Sequence, residues 1–301
     1  MSGGRHADEA IAPNTGRPPR VPGGHFDVHL HLTKYWPDPP NTFYRRDLDY
    51  SVAGLLREMD AHGIGGGLVL EEEHAPSVEE TLREGRETFE ASGRRLLRSS
   101  TVDPTKGAEE IARAIRLWEA DDGLAVIKLY PGYQRFYPHD PRLDPVYEFC
   151  ERRGLILFLH QGDTLDPNGL VKYARPIEVD EVATAHRGLS FVLCHFGNPW
   201  IDEAAEVVYK NPNVYADTSG LFWMPRSPHY AAMQRRARDR IQMAIESTGD
   251  SSRVLYGSDW PLESLRDAVH LVGSLDLPER ERREILGGNA RRLLAQALRR
   301  N

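Results

Sequence analysis

The sequence predicts a (β/α)8 barrel, in which eight parallel strands alternate with helices. Eight short apolar runs typical of buried strands alternate with stretches of helical periodicity, and turn residues separate them. Eight such units in residues 25–301 match the usual size of this fold, about 250 residues. An open doubly wound sheet is the alternative. Its dinucleotide-binding form is disfavoured because no GxGxxG motif follows the first strand.

The elements follow one another in a regular order along the chain. Ser51 can cap the first helix, and glycines such as Gly63 and Gly154 end helices just before a strand. The clearest helical patterns cover residues 51–63, 107–120, 144–154 and 230–247. The strand candidates are HFDVHLHL (25–32), IGGGLVL (64–70), RLLRSSTV (95–102), GLAVIKLY (123–130), GLILFLH (154–160), LSFVLCHF (189–196), NVYADTS (213–219) and RVLYGSDW (253–260).

Composition restricts the class of protein. A net charge of -7 and a pI near 6.0 provide no basic surface for nucleic acid or an anionic membrane, so small molecules are the expected partners. Two cysteines, Cys150 and Cys194, are too few for a disulfide framework, which favours a reducing compartment and hence the cytoplasm. Residues 1–24 are rich in Gly, Pro and Arg without an apolar run, which predicts a disordered leader before a single domain at 25–301.

Polar residues at the ends of apolar strands are the candidate functional residues. Barrel strands are normally rich in Val, Ile and Leu, and their C-terminal ends converge on one face, where active sites lie. The candidates are His29 and His31 on the first strand, Lys128 on the fourth, His160 on the fifth, His195 on the sixth and Asp259 on the eighth.

Taken together, these side chains predict a metal site. Imidazole and carboxylate groups are the ligands that Zn²⁺, Mn²⁺ or Fe²⁺ accept, and coordination would satisfy polar groups that are costly to bury. Each residue alone also has an ordinary structural explanation. His160 could be a hydrogen-bonded core residue, Lys128 could extend to solvent, and Asp259 could cap a turn before Pro261. The pair His29 and His31, two residues apart on one strand face, fits such explanations least well.

The motifs FDVHLHL, VIKLYPGYQRFYP, LILFLHQGDT, FVLCHFGNPW, NVYADTSGL, VLYGSDWP and ILGGNARRLL, in this order, cover residues 25 to about 296. In this set the chain resembles the amidohydrolase superfamily, in the amidohydrolase-related branch that includes the aminocarboxymuconate-semialdehyde decarboxylase group. The resemblance implies that His29, His31, His160 and Asp259 bind a divalent metal, most simply zinc, and that Asp259 also moves protons. It implies that His195 is a ligand of a second metal or polarises the substrate. Lys128 stands where some members carry a carboxylated lysine, so one metal and two both remain open.

The resemblance also implies the reaction. The expected activity is hydrolysis of an amide, ester or lactone, with Asp259, His195 and Lys128 as the catalytic residues. A metal-dependent decarboxylase of an aromatic or muconate-type acid is the alternative. The polar HQGDT after the fifth strand favours hydrolysis, because HP-type sequences are common there among the decarboxylases. A catalytically silent metal-binding scaffold is a third hypothesis.

The loops after the strands hold the information about substrate. Aromatic residues beside arginine suit a ring-containing carboxylate, because Arg binds carboxylates through two parallel hydrogen bonds. The candidates for substrate binding are Tyr130, Tyr133, Arg135, Tyr137 and Trp223. The run Glu71, Glu72 and Glu73 after the second strand is expected to be a solvated acidic edge. The resemblance makes a homodimer plausible.

Overall fold

The computed structural model describes residues 23–32, 48–222 and 227–300. Its eight strands form one parallel sheet in sequential order, β1 to β8. The predicted leader up to residue 22 and Trp223 lie outside the described residues. The strands are β1 (His25–Leu30), β2 (Ile64–Val69), β3 (Leu96–Thr101), β4 (Val126–Leu129), β5 (Ile156–Leu159), β6 (Ser190–Leu193), β7 (Val214–Asp217) and β8 (Val254–Leu255).

Helices follow the strands around the outside. Ser51 caps the first of them as predicted, since its Oγ accepts the Gly54 amide at 3.1 Å. Among the described residues, no helix is both long and apolar enough to cross a lipid bilayer. The helices are α1 (Val52–Ala61), α2 (Val78–Ala91), α3 (Ala108–Glu119), α4 (Asp144–Arg153), α5 (Val179–Ala185), α6 (Ile201–Lys210), α7 (Tyr230–Thr248), α8 (Leu265–Gly273), α9 (Glu279–Arg283) and α10 (Asn289–Arg300).

The sheet closes on itself, which confirms the barrel and excludes the open doubly wound alternative. The seam between β1 and the segment that follows β8 is held by backbone hydrogen bonds. The Val28 amide donates to Tyr256 O at 3.0 Å, and the Asp259 amide donates to His29 O at 2.9 Å. The His31 amide donates to Trp260 O at 2.8 Å. Closure places the first and last strands side by side, and so brings His29 and His31 next to Asp259.

Apolar side chains fill the barrel beneath the polar strand ends. Val126, Phe158, Val192 and Leu255 belong to one buried cluster contributed by separate strands. Val126 precedes Lys128 by two residues and therefore shares its face of β4. The site consequently stands on a packed apolar floor rather than over a channel.

Several candidate residues lie beyond the strands in which the sequence pattern places them. Only His29 and Lys128 are within strands, whereas His31, His160, His195 and Asp259 follow the last strand residue. The backbone at His195 and Asp259 has positive φ, at 59° and 58°. Such φ values are uncommon outside glycine and cannot continue a strand. The chain therefore turns where the functional side chains begin, and strained backbone of this kind is concentrated at active sites.

Candidate metal centre

All six polar strand-end candidates line one pocket at the C-terminal end of the barrel. They are His29, His31, Lys128, His160, His195 and Asp259. Five of them are buried and His31 is partly buried. The structure thus brings together residues that the sequence spreads over 231 positions, from 29 to 259.

Three ligand atoms converge at the β1–β8 seam. His29 Nε2 and His31 Nε2 are 3.2 Å apart. Asp259 Oδ1 lies 3.5 Å from the first nitrogen and 3.4 Å from the second. Two nitrogens bound to one tetrahedral zinc at about 2.0–2.1 Å would be separated by roughly 3.3 Å. The spacing of the three atoms therefore matches that of ligands sharing one metal ion.

The partners of the remaining ring nitrogens fix the proton positions. His31 Nδ1 lies 3.0 Å from Leu70 O, and a carbonyl oxygen can only accept, so Nδ1 carries the proton. His29 Nδ1 lies 2.8 Å from the Asp217 carboxylate and also donates. In neutral rings both Nε2 atoms are then lone-pair acceptors that face each other and the Asp259 carboxylate. Such a group of acceptors is satisfied by a proton on His31 Nε2, shared with Asp259, or by a divalent metal, and the two nitrogens and one carboxylate oxygen are a donor set that fits a metal.

Asp217 and Ser219 orient these imidazoles, and neither residue was among the predicted site residues. Asp217, the last residue of β7, accepts the proton of His29 Nδ1 and the His195 amide, the latter at 2.9 Å. Ser219 Oγ donates to Asp217 and lies 2.9 Å from His29 Nδ1 and 3.0 Å from His195 Nδ1. Carboxylates behind ligating histidines set the tautomer and ring orientation in metal sites. A sequence signal exists, because Asp217 also stands at a strand end, in NVYADTS.

His160 and His195 form a second converging pair. His160 Nε2 donates to Asp163 O at 2.8 Å, which leaves Nδ1 as an acceptor. Since the Ser219 proton is drawn to Asp217, His195 Nδ1 donates towards Ser219, and its Nε2 is also an acceptor. These two acceptors lie 3.1 Å apart. The pair can therefore take a metal or a proton, but the His29–His31–Asp259 group forms the tighter three-ligand cluster.

Gly220 allows this close packing. Its φ of +64° is the left-handed conformation, and a Cβ there would lie 2.5 Å from His195 Nδ1 and 3.0 Å from Asp259 Oδ2. No other residue fits without displacing one of these two side chains.

Burial and charge set the protonation states that a metal needs. Burial lowers the pKa of His29, lowers that of His160 further, and brings the pKa of His195 to about 3. Burial opposes ionisation of Asp259, yet its contact with His31 and the nearby histidines holds its pKa below the usual range. Burial also opposes the charge on His31, but Asp259 outweighs it and raises the pKa of His31, so without a metal His31 Nε2 shares a proton with Asp259, and a bound metal would replace that proton. Neutral imidazoles beside an ionised carboxylate are the forms in which these groups bind metals.

Lys128 lies below the imidazoles. Its side chain is 0% exposed, and Nζ donates to Cys194 Sγ at 2.7 Å while lying 4.9 Å from the centre of the Tyr130 ring. Cys194 was not assigned a role from the sequence.

The substrate-binding candidates divide into two groups. Tyr130 and Tyr133 line the pocket and surround His160, with ring centres 6.3 Å and 4.7 Å from the imidazole. Arg135 is exposed, and neither it nor Tyr137 lines the pocket. Tyr137 instead packs against His139. Trp223 lies in the segment that the structure leaves undescribed.

The pocket wall is more acidic than expected. Glu72 and Glu73 line it together with Asp163, and Glu71 and Glu72 are buried rather than forming a solvated edge. Burial raises the pKa of Asp163 to about 6. Among the described lining residues, Lys128 is the only lysine or arginine. The wall therefore carries an excess of carboxylates.

Solved structures with a fold similar to this barrel include an amidohydrolase, a probable hydrolase and a decarboxylase. An amidohydrolase from Burkholderia multivorans with bound zinc has a TM-score of 0.67 at 20% identity, covering 90% of this chain and 99% of that one. A protein from Acinetobacter baumannii, described as a probable 2-pyrone-4,6-dicarboxylic acid hydrolase, has a TM-score of 0.65 at 16% identity, with coverages of 90% and 99%. A dihydroxybenzoic acid decarboxylase from Polaromonas with bound manganese has a TM-score of 0.60 at 18% identity, with coverages of 90% and 97%.

No curated protein sequence matches this chain significantly. The sequence model of one family, described as amidohydrolase, matches residues 26–296. That span begins at the second residue of β1 and ends in α10, so it includes the rest of β1, all of β2 to β8 and all six polar strand-end residues. Both the HxH pair on β1 and the aspartate after β8 lie within it, and the chain accordingly belongs to the amidohydrolase family.

Proposed function

We propose that the protein is a metal-dependent hydrolase that cleaves an amide, ester or lactone bond in a small molecule. The observation that carries the proposal is the convergence of His29 Nε2, His31 Nε2 and Asp259 Oδ1, all within 3.5 Å of one another, at the base of a pocket. These three residues would hold the metal. The bound ion supplies Lewis-acid activation of water and of the scissile carbonyl.

The chain's own residues handle the protons and position the substrate. The two carboxylate oxygens of Asp259 have different neighbours. Oδ1 faces His29 and His31, while Oδ2 lies 3.9 Å from His195 Nδ1. Oδ2 is therefore the atom that takes the proton of the attacking water and returns it to the leaving group. His195, on the opposite side of Asp259 from His31, orients the water or the carbonyl. Lys128 contributes positive charge beneath the imidazoles, where negative charge develops.

The charge of the pocket wall favours hydrolysis over decarboxylation. A decarboxylase must bind a substrate carboxylate, and apart from the proposed metal the described wall offers only Lys128 as a cation, against the carboxyl groups of Glu72, Glu73 and Asp163. Like charges brought together in a site of low dielectric repel strongly. A neutral scissile group avoids this repulsion. Similar barrels include both hydrolases and decarboxylases, so the barrel itself does not distinguish the two reactions.

The test combines metal analysis with product detection. We expect the purified protein to contain divalent metal, one ion per chain if the three-ligand cluster alone is filled and two if His160 and His195 hold another. Chelation should abolish turnover, and metal should restore it. On a panel of neutral lactones, esters, amides and aromatic carboxylates, acid release without CO₂ would support hydrolysis. Release of CO₂ from an aromatic acid would establish the decarboxylase alternative, and a metal-loaded protein without turnover of either kind would favour the silent scaffold.

Tyr133 should bind the substrate through its hydroxyl proton. Its oxygen already accepts the Leu165 amide at 2.9 Å, and Tyr133 and Leu165 both line the pocket, so we expect the hydroxyl proton to be available to a ligand. We expect Tyr133→Phe to lower kcat/KM by about 3–10-fold, the usual value of one hydrogen bond, with little change in Tm. Tyr209→Phe, on the exposed face of α6, is the matched control. Equal kinetics for the two variants would remove Tyr133 from the binding site.

A further inference from the structure

A lysine and a cysteine meet inside the barrel, below the metal-binding side chains. Lys128 Nζ and Cys194 Sγ are 2.7 Å apart, and both residues are 0% exposed. Lys128 belongs to β4, while Cys194 directly follows β6, so the contact spans β5. We propose that peroxide joins Lys128 and Cys194 through a covalent bond between the lysine nitrogen and the cysteine sulfur, and that thiols reverse this crosslink.

The surroundings of Lys128 leave its nitrogen directed at the sulfur. A fully buried ammonium group is normally paired with a carboxylate, because an unpaired charge is costly to bury. Within the described part of the chain, no carboxylate oxygen forms an ion pair with Lys128 within 4.0 Å. Its described contacts are the Cys194 thiol and the face of the Tyr130 ring. Neither contact is an ion pair, and the Cys194 thiol is the nearest reactive group to the Lys128 nitrogen.

The pair lies next to the pocket, and the second cysteine provides an internal reference. Lys128 lines the pocket and Cys194 lies in contact with it, so peroxide that enters the pocket meets the lysine side of the pair first. Cys150 is equally buried, in α4, but among the described residues it has no contact with an amine. The two cysteines thus differ chiefly in the neighbouring lysine.

The chemistry balances with one equivalent of hydrogen peroxide. The sulfur attacks a peroxide oxygen: an S–O bond forms, the O–O bond breaks, and the departing hydroxide leaves as water with the thiol proton. The product is a sulfenic acid, which condenses with nitrogen nucleophiles. The Lys128 ammonium gives one proton to water in the pocket, and the resulting amine attacks the sulfur. An S–N bond forms, the S–O bond breaks, and the hydroxide takes a second proton from the nitrogen to leave as a second water. Sulfur loses two electrons, and peroxide gains them.

Crosslinking would alter the site directly. It removes the ammonium charge beneath the imidazoles and ties the end of β6 to β4. His195 follows Cys194 immediately in the chain, so its position depends on the same turn. The crosslink would consequently make the activity sensitive to oxidants in a reversible way.

The experiment treats the purified protein with hydrogen peroxide and measures thiols after denaturation, intact mass and tryptic peptides. We expect the wild-type protein to fall from two titratable thiols to one, to lose the mass of two hydrogens, and to recover both on treatment with dithiothreitol. The linked peptide should join the segment around Lys128 to residues 188–210, with cleavage after Lys128 blocked. Cys150→Ser should still crosslink, and Cys194→Ser should keep its single thiol.

Two results would overturn the proposal. One is oxidation of Cys194 to a sulfinic acid without any linked peptide. The other is the same loss of two hydrogens in Lys128→Met, which has no amine to react. Lys128→Arg provides a second amine-free comparison if the methionine variant does not fold, and thermal melting of each variant establishes that it is folded. All of these readouts are independent of turnover, so the hydrolase proposal can fail while the crosslink stands.

Discussion

Replacement of Asp259 by asparagine is expected to lower kcat/KM by about 10²–10⁴-fold, the usual cost of removing a positioned acid–base group. The loss has two causes. Oδ1 is the third atom of the cluster with His29 and His31, at 3.5 Å and 3.4 Å, and an amide supplies no negative charge there. The other oxygen is the proposed proton carrier, and an amide cannot take the proton. Metal content measured together with kinetics separates the two causes.

Asparagine is the informative substitution because of the backbone. Asp259 has a φ of 58°, and asparagine tolerates this conformation better than alanine does. The variant should therefore fold with a Tm close to that of the wild type. Asp122→Asn is the matched control, since the Asp122 side chain is 74% exposed and lies before β4, at the other end of the barrel. A variant at 259 that kept both metal and wild-type kinetics would contradict the assignment.

The sequence was sufficient to predict which polar side chains meet at one end of the barrel, because their signal is local. His29 and His31 interrupt an apolar strand two residues apart, and His160, His195 and Asp259 end apolar runs. In a barrel, strand ends meet whatever their separation in sequence, so the fold prediction alone brought them together. The extent of the strands was overestimated, because a pattern of apolar letters does not reveal the positive φ at His195 and Asp259.

Interactions that depend on loop conformation could not be predicted in this way. Arg135 follows β4 just as Tyr133 does, yet Tyr133 lines the pocket and Arg135 is exposed. Glu72 belongs to an acidic run that is typical of a solvated surface, but the conformation of the loop after β2 places Glu72 in the pocket wall. The contact between Lys128 and Cys194 joins β4 to the residue that follows β6, and these strands are not neighbours in the sheet, so neither residue by itself indicates the other.

Asp217→Asn is expected to weaken metal binding by about 10–100-fold, the range found when a carboxylate behind a ligating histidine is removed. Asp217 accepts the His29 Nδ1 proton at 2.8 Å, and the His195 and Ser219 amides at 2.9 Å and 3.1 Å. An asparagine amide has one accepting oxygen, so its NH₂ group would face one of these donors. If the NH₂ group faced His29, it would donate to Nδ1 and so favour the tautomer that carries the proton on Nε2. His29 Nε2 would then have no lone pair for a metal.

Ser219→Ala distinguishes this tautomer effect from a general loosening of the site. It removes the hydroxyl that lies 2.9 Å from His29 Nδ1 but keeps the Asp217 carboxylate in contact with that nitrogen. Competition with a chromophoric chelator should therefore show a smaller loss of metal affinity for Ser219→Ala than for Asp217→Asn. Unchanged affinity in Asp217→Asn would mean that the ligand geometry on β1 is maintained without β7. Equal losses in both variants would assign the effect to packing around His29, because only the aspartate substitution changes which ring nitrogen carries the proton.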